Sequence, residues 1–115
     1  MSYDYKIFNA GGRTPSLEEL AESPIPFESY DAAKSLLSDC FPGIVWHDAT
    51  QRGILENDIG RFEFDCDEAL LTLGVLSLST SHRQDVAASH HFLTACHVQG
   101  LAVLDEQTMA FISAT

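Results

Sequence analysis

Between Arg61 and Ser79 the chain reads RFEFDCDEALLTLGVLSLS, and the spacing of its apolar positions predicts two strands with a turn between them. Phe62, Phe64 and Cys66 alternate with Glu63, Asp65 and Asp67, the period-two pattern of a strand with one buried and one wet face. The acids of that strand therefore point to solvent. After a turn at Asp67-Glu68-Ala69, the run Leu70 to Ser79 is apolar at Leu71, Leu73 and Val75, then at Leu76 and Leu78, so its parity changes beside Gly74. A bulge produces such a slip, whereas a strand covered on both faces is apolar throughout and needs none. The covered central strand is the favoured reading.

The remaining segments fall around this hairpin. Tyr3, Tyr5 and Ile7 alternate with Asp4 and Lys6 and predict a strand over 3–8, closed by Asn9-Ala10-Gly11-Gly12. That glycine pair lacks both a following Lys-Ser/Thr and GxGxxG spacing, so it reads as a turn, not a phosphate loop. Thr14-Pro15-Ser16 followed by Glu18 and Glu19 has the cap, first-turn proline and acids of a helix start, predicting a helix over 15–22 that Pro24 and Pro26 end. Phe27 should tuck into the edge of the core. Ser29 caps a second helix over 29–40, whose Ala32, Ala33, Leu36, Leu37 and Cys40 form an amphipathic stripe. Strands follow at 44–47 and 53–56, and Trp46 needs a partner for its indole N–H if buried.

A long helix over 84–98 places Val86, Ala88, Ser89, Phe92, Leu93, Ala95 and Cys96 toward the sheet. His90, His91, Thr94, His97 and Val98 take the outer face, and Gly100 serves as the cap. Leu101–Leu104 and Met109–Ile112 predict a closing hairpin around Asp105-Glu106-Gln107-Thr108. The order is β-α-α-β-β-β-α-β-β, an α+β two-layer sandwich with helices on one face of a mainly antiparallel sheet.

With 115 residues the chain fits one domain, residues 1–115. Seventeen acids against six lysines and arginines give a formal charge of −11, which repels nucleic acid and anionic membrane and attracts basic proteins. The arginines are scattered and no aromatic residues interleave with them, so DNA or RNA binding is rejected. Outward carboxylates on a rigid sheet could still imitate a row of phosphates. Three widely spaced cysteines, Cys40, Cys66 and Cys96, fit neither a disulfide framework nor a zinc site, and point to a reducing compartment. The first residues contain no signal-peptide pattern, and no apolar stretch is long enough for a membrane span. A cytoplasmic protein is expected.

Candidate chemistry is sparse. His82, His90, His91 and His97 are close in sequence, but His90 and His97 lie seven residues apart, about 10 Å along a helix, too far for one ion. The face reads as solvated polar surface, with no metal and no cofactor implied. Cys96 and His97 diverge by about 100° on a helix and make no nucleophile–base pair; a core thiol is the simpler account of each cysteine. Glu63 and Asp65, with Glu56 across the hairpin, make a wet acidic face better suited to a basic partner than to acid–base catalysis.

Phe41-Pro42-Gly43-Ile44-Val45-Trp46, Phe62-Glu63-Phe64 and Gly100-Leu101-Ala102-Val103-Leu104-Asp105 together resemble segments of small, uncharacterised acidic bacterial proteins of the immunity-protein kind, the partners encoded beside secreted toxins. The resemblance rests on packing residues and implies no site residues. The leading expectation is a non-enzymatic acidic module that masks a basic protein surface, with Glu56, Asp58, Glu63, Asp65, Asp67 and Glu68 as the partner-binding set. Two alternatives stand beside it. One is a small enzyme or ligand-binding domain using His47, Asp48 and the Glu63/Asp65 strand. The other is a structural homodimer that meets through Val98 or a sheet edge.

Overall fold

The computed structural model describes residues 3–11, 17–22 and 24–112. Their elements are β1 (Tyr3–Asn9), α1 (Leu17–Glu22), α2 (Tyr30–Cys40), β2 (Val45–His47), β3 (Arg52–Glu56), β4 (Gly60–Asp65), α3 (Glu68–Leu71), β5 (Val75–His82), α4 (Val86–Leu93), a 3-10 helix Thr94–Gln99, β6 (Leu101–Asp105) and β7 (Ala110–Phe111). The strands form one antiparallel sheet in the order β2-β3-β4-β5-β1-β6-β7. The first strand of the chain thus lies inside the sheet, between β5 and β6, and ties the hairpins of the first half to the closing hairpin.

Register sorts the side chains into two faces. One rung runs Trp46, Gly53, Phe64, Leu78, Tyr5, Asp105. With Phe62, Leu76, Ile7 and Val103 this face forms the core, against Ala33 and Leu37 of α2, Leu93 of α4 and Cys96 of the 3-10 helix. Three ring contacts fasten the layers. Phe41 stacks on Phe92 at 5.0 Å, Phe62 meets Phe92 at 4.8 Å, and Phe41 meets Phe64 at 5.5 Å. The α+β two-layer arrangement expected from periodicity is the one found, and Phe27 is buried at its edge. Trp46 donates its indole N–H to Ser38 Oγ at 3.0 Å, the partner that partial burial demands.

The chain departs from its sequence pattern in three places. Residues 67–74 are not a turn and the start of a strand: Asp67 caps the short helix α3, and β5 begins only at Val75. The parity change near Gly74 is therefore neither a bulge nor a sign of two-sided cover. It is the junction of a helix with a strand, and β5 itself alternates with Leu76, Leu78 and Thr80 buried. Gly74 takes φ +75°, and a Cβ there would collide with the Ile25 carbonyl oxygen, so the junction requires glycine. Between α2 and α4 the sheet has the four strands read segment by segment from the sequence, where the written order β-α-α-β-β-β-α-β-β has only three.

The long helix over 84–98 is also divided. Asp85 caps α4 by accepting from the Ala88 N–H at 2.8 Å, and at Thr94 the chain tightens into the 3-10 helix, which ends at Gly100 with φ +74°. Tightening lets Leu93 and Cys96, three residues apart, face the sheet together. The expected start of α1 at Thr14-Pro15-Ser16 lies outside the described residues.

Candidate functional site

The open face of the sheet carries Glu56, Glu63 and Asp65, three of the six acids expected to meet a partner. Across it run the rungs Val45, Ile54, Glu63, Ser79, Asp4 and His47, Arg52, Asp65, Ser77, Lys6. Glu56 faces Arg61 across the β3–β4 hairpin. Arg61 joins Glu56 and Glu63, each at 3.0 Å, and Arg83 reaches the other oxygen of Glu56 at 2.8 Å. Arg52 lies 3.8 Å from Asp65.

The other three residues of the acidic set sit at the two ends of β4. Asp58 is exposed in the turn before it. Asp67 caps α3 through the Ala69 N–H at 2.9 Å, and Glu68 accepts from Gln51 Nε2 at 2.9 Å. At about 3.3 Å per residue, β4 separates Asp58 from Asp67 and Glu68 by roughly 20 Å. The six acids form a line along a hairpin, with Val45 (60% exposed) and half-buried Ile54 beside its middle.

Each of the five described cations has an acid partner, since Lys6 meets Glu106 at 3.2 Å and Lys34 meets Asp48 at 2.9 Å. The positive charge is therefore spent locally. Asp31, Asp39, Asp58, Asp67 and Glu68 stand exposed outside those pairs.

His47 lies on the open-face rung of Arg52 and Asp65, two strands away from Asp65, while Asp48 is directed elsewhere. Asp48 turns toward α2, accepting from Tyr30 Oη at 2.6 Å and from Lys34, and these hydrogen bonds hold its carboxyl below the usual carboxylate range. Burial, then the hydrogen bond to Asp48, pushes the Tyr30 phenol well up. Val98 is 84% exposed.

A second cluster is not visible in any single element's pattern. Under the start of α4, the core face of β1, β5 and β6 presents Tyr3, Tyr5, Thr80, His82 and Asp105, and α4 sets Ser89 and His90 above them. Asp105 is 2% exposed. Its Oδ2 accepts from Tyr3 Oη at 2.7 Å and its Oδ1 from the Gln107 N–H at 2.8 Å. His90 Nε2 lies 3.0 Å from the same Oδ2 without meeting the geometry of a hydrogen bond. His82 Nδ1 and Ser89 Oγ are 2.6 Å apart, while His82 Nε2, Tyr5 Oη and Thr80 Oγ1 are buried without a protein partner.

The environment sets the titration of these groups. The hydrogen bond to Asp105, with burial behind it, pushes the Tyr3 phenol up to about 12. Burial drives Tyr5 higher still. Burial and the neighbouring His90 push the His82 imidazole down, against the opposing pull of Asp105. His82 therefore rests neutral beside a fully buried serine. The pair resembles a nucleophile and base in distance alone: Ser89 has no exposed surface, and the far nitrogen of His82 has no orienting acid bonded to it.

His90 and His97 were both expected on a solvated face. Instead each has a ring nitrogen shielded from solvent, because strands β1 and β6 extend under α4 and the 3-10 helix. Among the described residues no group of three or more His, Cys, Asp or Glu is placed to hold a metal ion. The signal for this cluster was strand parity. Thr80 and His82 continue the Leu76, Leu78 series, and Asp105 continues Leu101, Val103.

Among the described residues no helix is long and apolar enough to cross a membrane. No family model matches the chain, and neither a curated protein nor a solved structure does.

Proposed function

We propose that this chain is a non-enzymatic binding module that masks a basic protein surface, in the manner of an immunity protein or antitoxin. The observation that carries the reading is the charge accounting. All five described lysines and arginines are held in ion pairs by Glu56, Glu63, Asp65, Asp48 and Glu106. The excess of the −11 charge is thus displayed as acids such as Asp58, Asp67 and Glu68, which have no lysine or arginine against them. Two of these groups are held in place, Asp67 by capping α3 and Glu68 by its hydrogen bond from Gln51, so little of their side-chain ordering is left to be done when a cationic partner docks. Val45 and Ile54 add an apolar centre beside the charged rows, an arrangement suited to a protein interface with a polar rim.

The acids divide into two roles. Glu56, Glu63 and Asp65, bound to arginines, fix the shape of the face, while Asp58, Asp67 and Glu68 supply field. Field charges act mainly on the rate of encounter and on its salt dependence. The test is to capture the partner on the tagged chain in extract of its own cells, purify it, and measure association of the pure pair. A basic partner whose on-rate falls steeply with salt supports the reading; an acidic or neutral partner with a salt-independent on-rate overturns it.

A further inference from the structure

β2 stands first in the strand order, so among the described residues its outer side meets no other strand. The tryptophan at its centre holds it there. Trp46 donates to Ser38 Oγ at 3.0 Å and meets the Tyr30 ring at 6.0 Å, both on α2. Opposite it on β3 is Gly53, where a Cβ would collide with the indole and with Ile44, so glycine makes room for the ring. An edge anchored in this way has its backbone extended before anything docks, which leaves less ordering to be done on binding.

The two sides of the strand differ in chemistry. On the open-face side Val45 is 60% exposed, and with Gly43, Ile54 and Glu56 it lines a depression of about 430 Å³. On the helix side, Asp31 and Asp39 are exposed on α2, next in sequence to Tyr30 and Ser38, the residues that touch Trp46. Neither acid is in an ion pair with a described lysine or arginine.

Taking the partner-masking reading as given, we propose that the free edge of β2 receives an extended, basic segment of the masked protein as an eighth strand. Its apolar residues face Val45 and Ile54, and lysines or arginines alternate with them toward Asp31 and Asp39. The alternation follows from strand geometry, since side chains at i and i+2 share a face and the one between falls on the other. Backbone hydrogen bonds along the edge give affinity, and the two unlike faces give selectivity. A second copy of this chain is the wrong occupant, because each copy carries a charge of −11 and the copies repel. With only three residues, β2 is also too short to favour pairing with itself.

Two acetylated eight-residue peptides serve as probes, one alternating valine with lysine and the other valine with serine. Calorimetry on the full chain gives affinity, and hydrogen exchange gives the place. The valine–lysine peptide is expected to bind at least ~10-fold more tightly than the valine–serine peptide. It should also slow exchange of amides within Val45–His47. Val45→Ser should weaken it by ~10-fold, roughly the loss of one valine's apolar contact, and Asp39→Lys by about 3-fold. Both positions are exposed, so neither substitution disturbs the core. Binding of the valine–lysine peptide without protection of β2 would overturn the added strand and leave the masking reading standing, because that reading is judged on the charge and salt dependence of the captured partner. Equal binding of the two peptides, or binding of neither, would overturn the added strand as well. Self-association in sedimentation that Val45→Ser abolishes would make a second copy the occupant and overturn it too.

Discussion

Tyr3, in the first strand, donates its phenolic hydrogen to Asp105, at the end of the sixth, across a 2.7 Å contact that spans 102 positions of sequence. Asp105 is the buried acid on which three groups converge, and Gln107 and His90 complete its surroundings. Replacing it by alanine leaves Tyr3, already close to the unpartnered Tyr5 hydroxyl, without an acceptor. Asp105→Ala is expected to lower stability by about 2–4 kcal/mol in urea unfolding, against about 1 kcal/mol for Tyr3→Phe, which removes one donor and leaves the carboxylate its other contacts. Equal effects of the two substitutions would show that Asp105 is not the hub.

His82 makes stability depend on pH. Its folded value lies below the unfolded one, so on acidification the unfolded chain takes up this proton first. The contribution is fully present above the unfolded value near 6.5 and is lost as pH falls through the lower folded value. The groups facing the ring are His90 from α4 and Asp105 from β6, with Tyr3 at 5.0 Å and Ser89 bonded to Nδ1. Denaturation midpoints measured from pH 8 to pH 5 should fall with pH in the wild type and fall less in His82→Gln.

Gly74 sits at the joint between α3 and β5, where φ is +75° and the Ile25 carbonyl occupies the space of a side chain. Gly74→Ala combines a strained backbone with a backbone collision and should cost about 2 kcal/mol or more. Gly43 has φ +102°, but a Cβ there would meet only a Leu55 methyl at 3.7 Å, so Gly43→Ala suffers the strain without the collision and should cost less. Thermal melting of the two variants compares them directly.

Much of this architecture was legible because periodicity reports burial. Phe62/Phe64, Tyr5/Ile7 and the Leu36/Leu37 stripe each assigned a face correctly, and the Ser29 cap fixed the start of α2 to within a residue. Periodicity failed where two elements share an apolar run. Leu70 and Leu71 belong to α3, while Leu76 and Leu78 belong to β5, and nothing in side-chain type marks the joint except Gly74. The polar cluster was missed for a related reason. Histidines were weighed on their own helix, although His82 and Asp105 are placed by strand parity and meet His90 only because β1 inserts between β5 and β6. No local pattern carries that topology. The outward acids were legible, but the arginines that neutralise half of them are joined to them through register across β3, β4 and β5.

The ion pairs of the open face predict a contrast between stability and binding. Arg61→Ala breaks exposed pairs with Glu56 and Glu63 and should change folding stability by less than about 1 kcal/mol. Phe62→Ala, on the opposite face of the same strand, empties a core position and should cost about 3–5 kcal/mol. Chemical denaturation of both variants would show whether the two faces of β4 are divided in this way.

The most direct test of the masking role is the association rate of the purified chain with its captured partner, measured against ionic strength, for wild type and for Asp58→Lys combined with Glu68→Lys. Both substitutions leave the arginine pairs and the α3 cap intact. The account predicts a wild-type rate that drops as salt is raised to about 0.15 M, where screening shortens to roughly 8 Å, and a double variant that associates more slowly with a flatter salt dependence. Identical rates and identical salt dependence in the two proteins would contradict it.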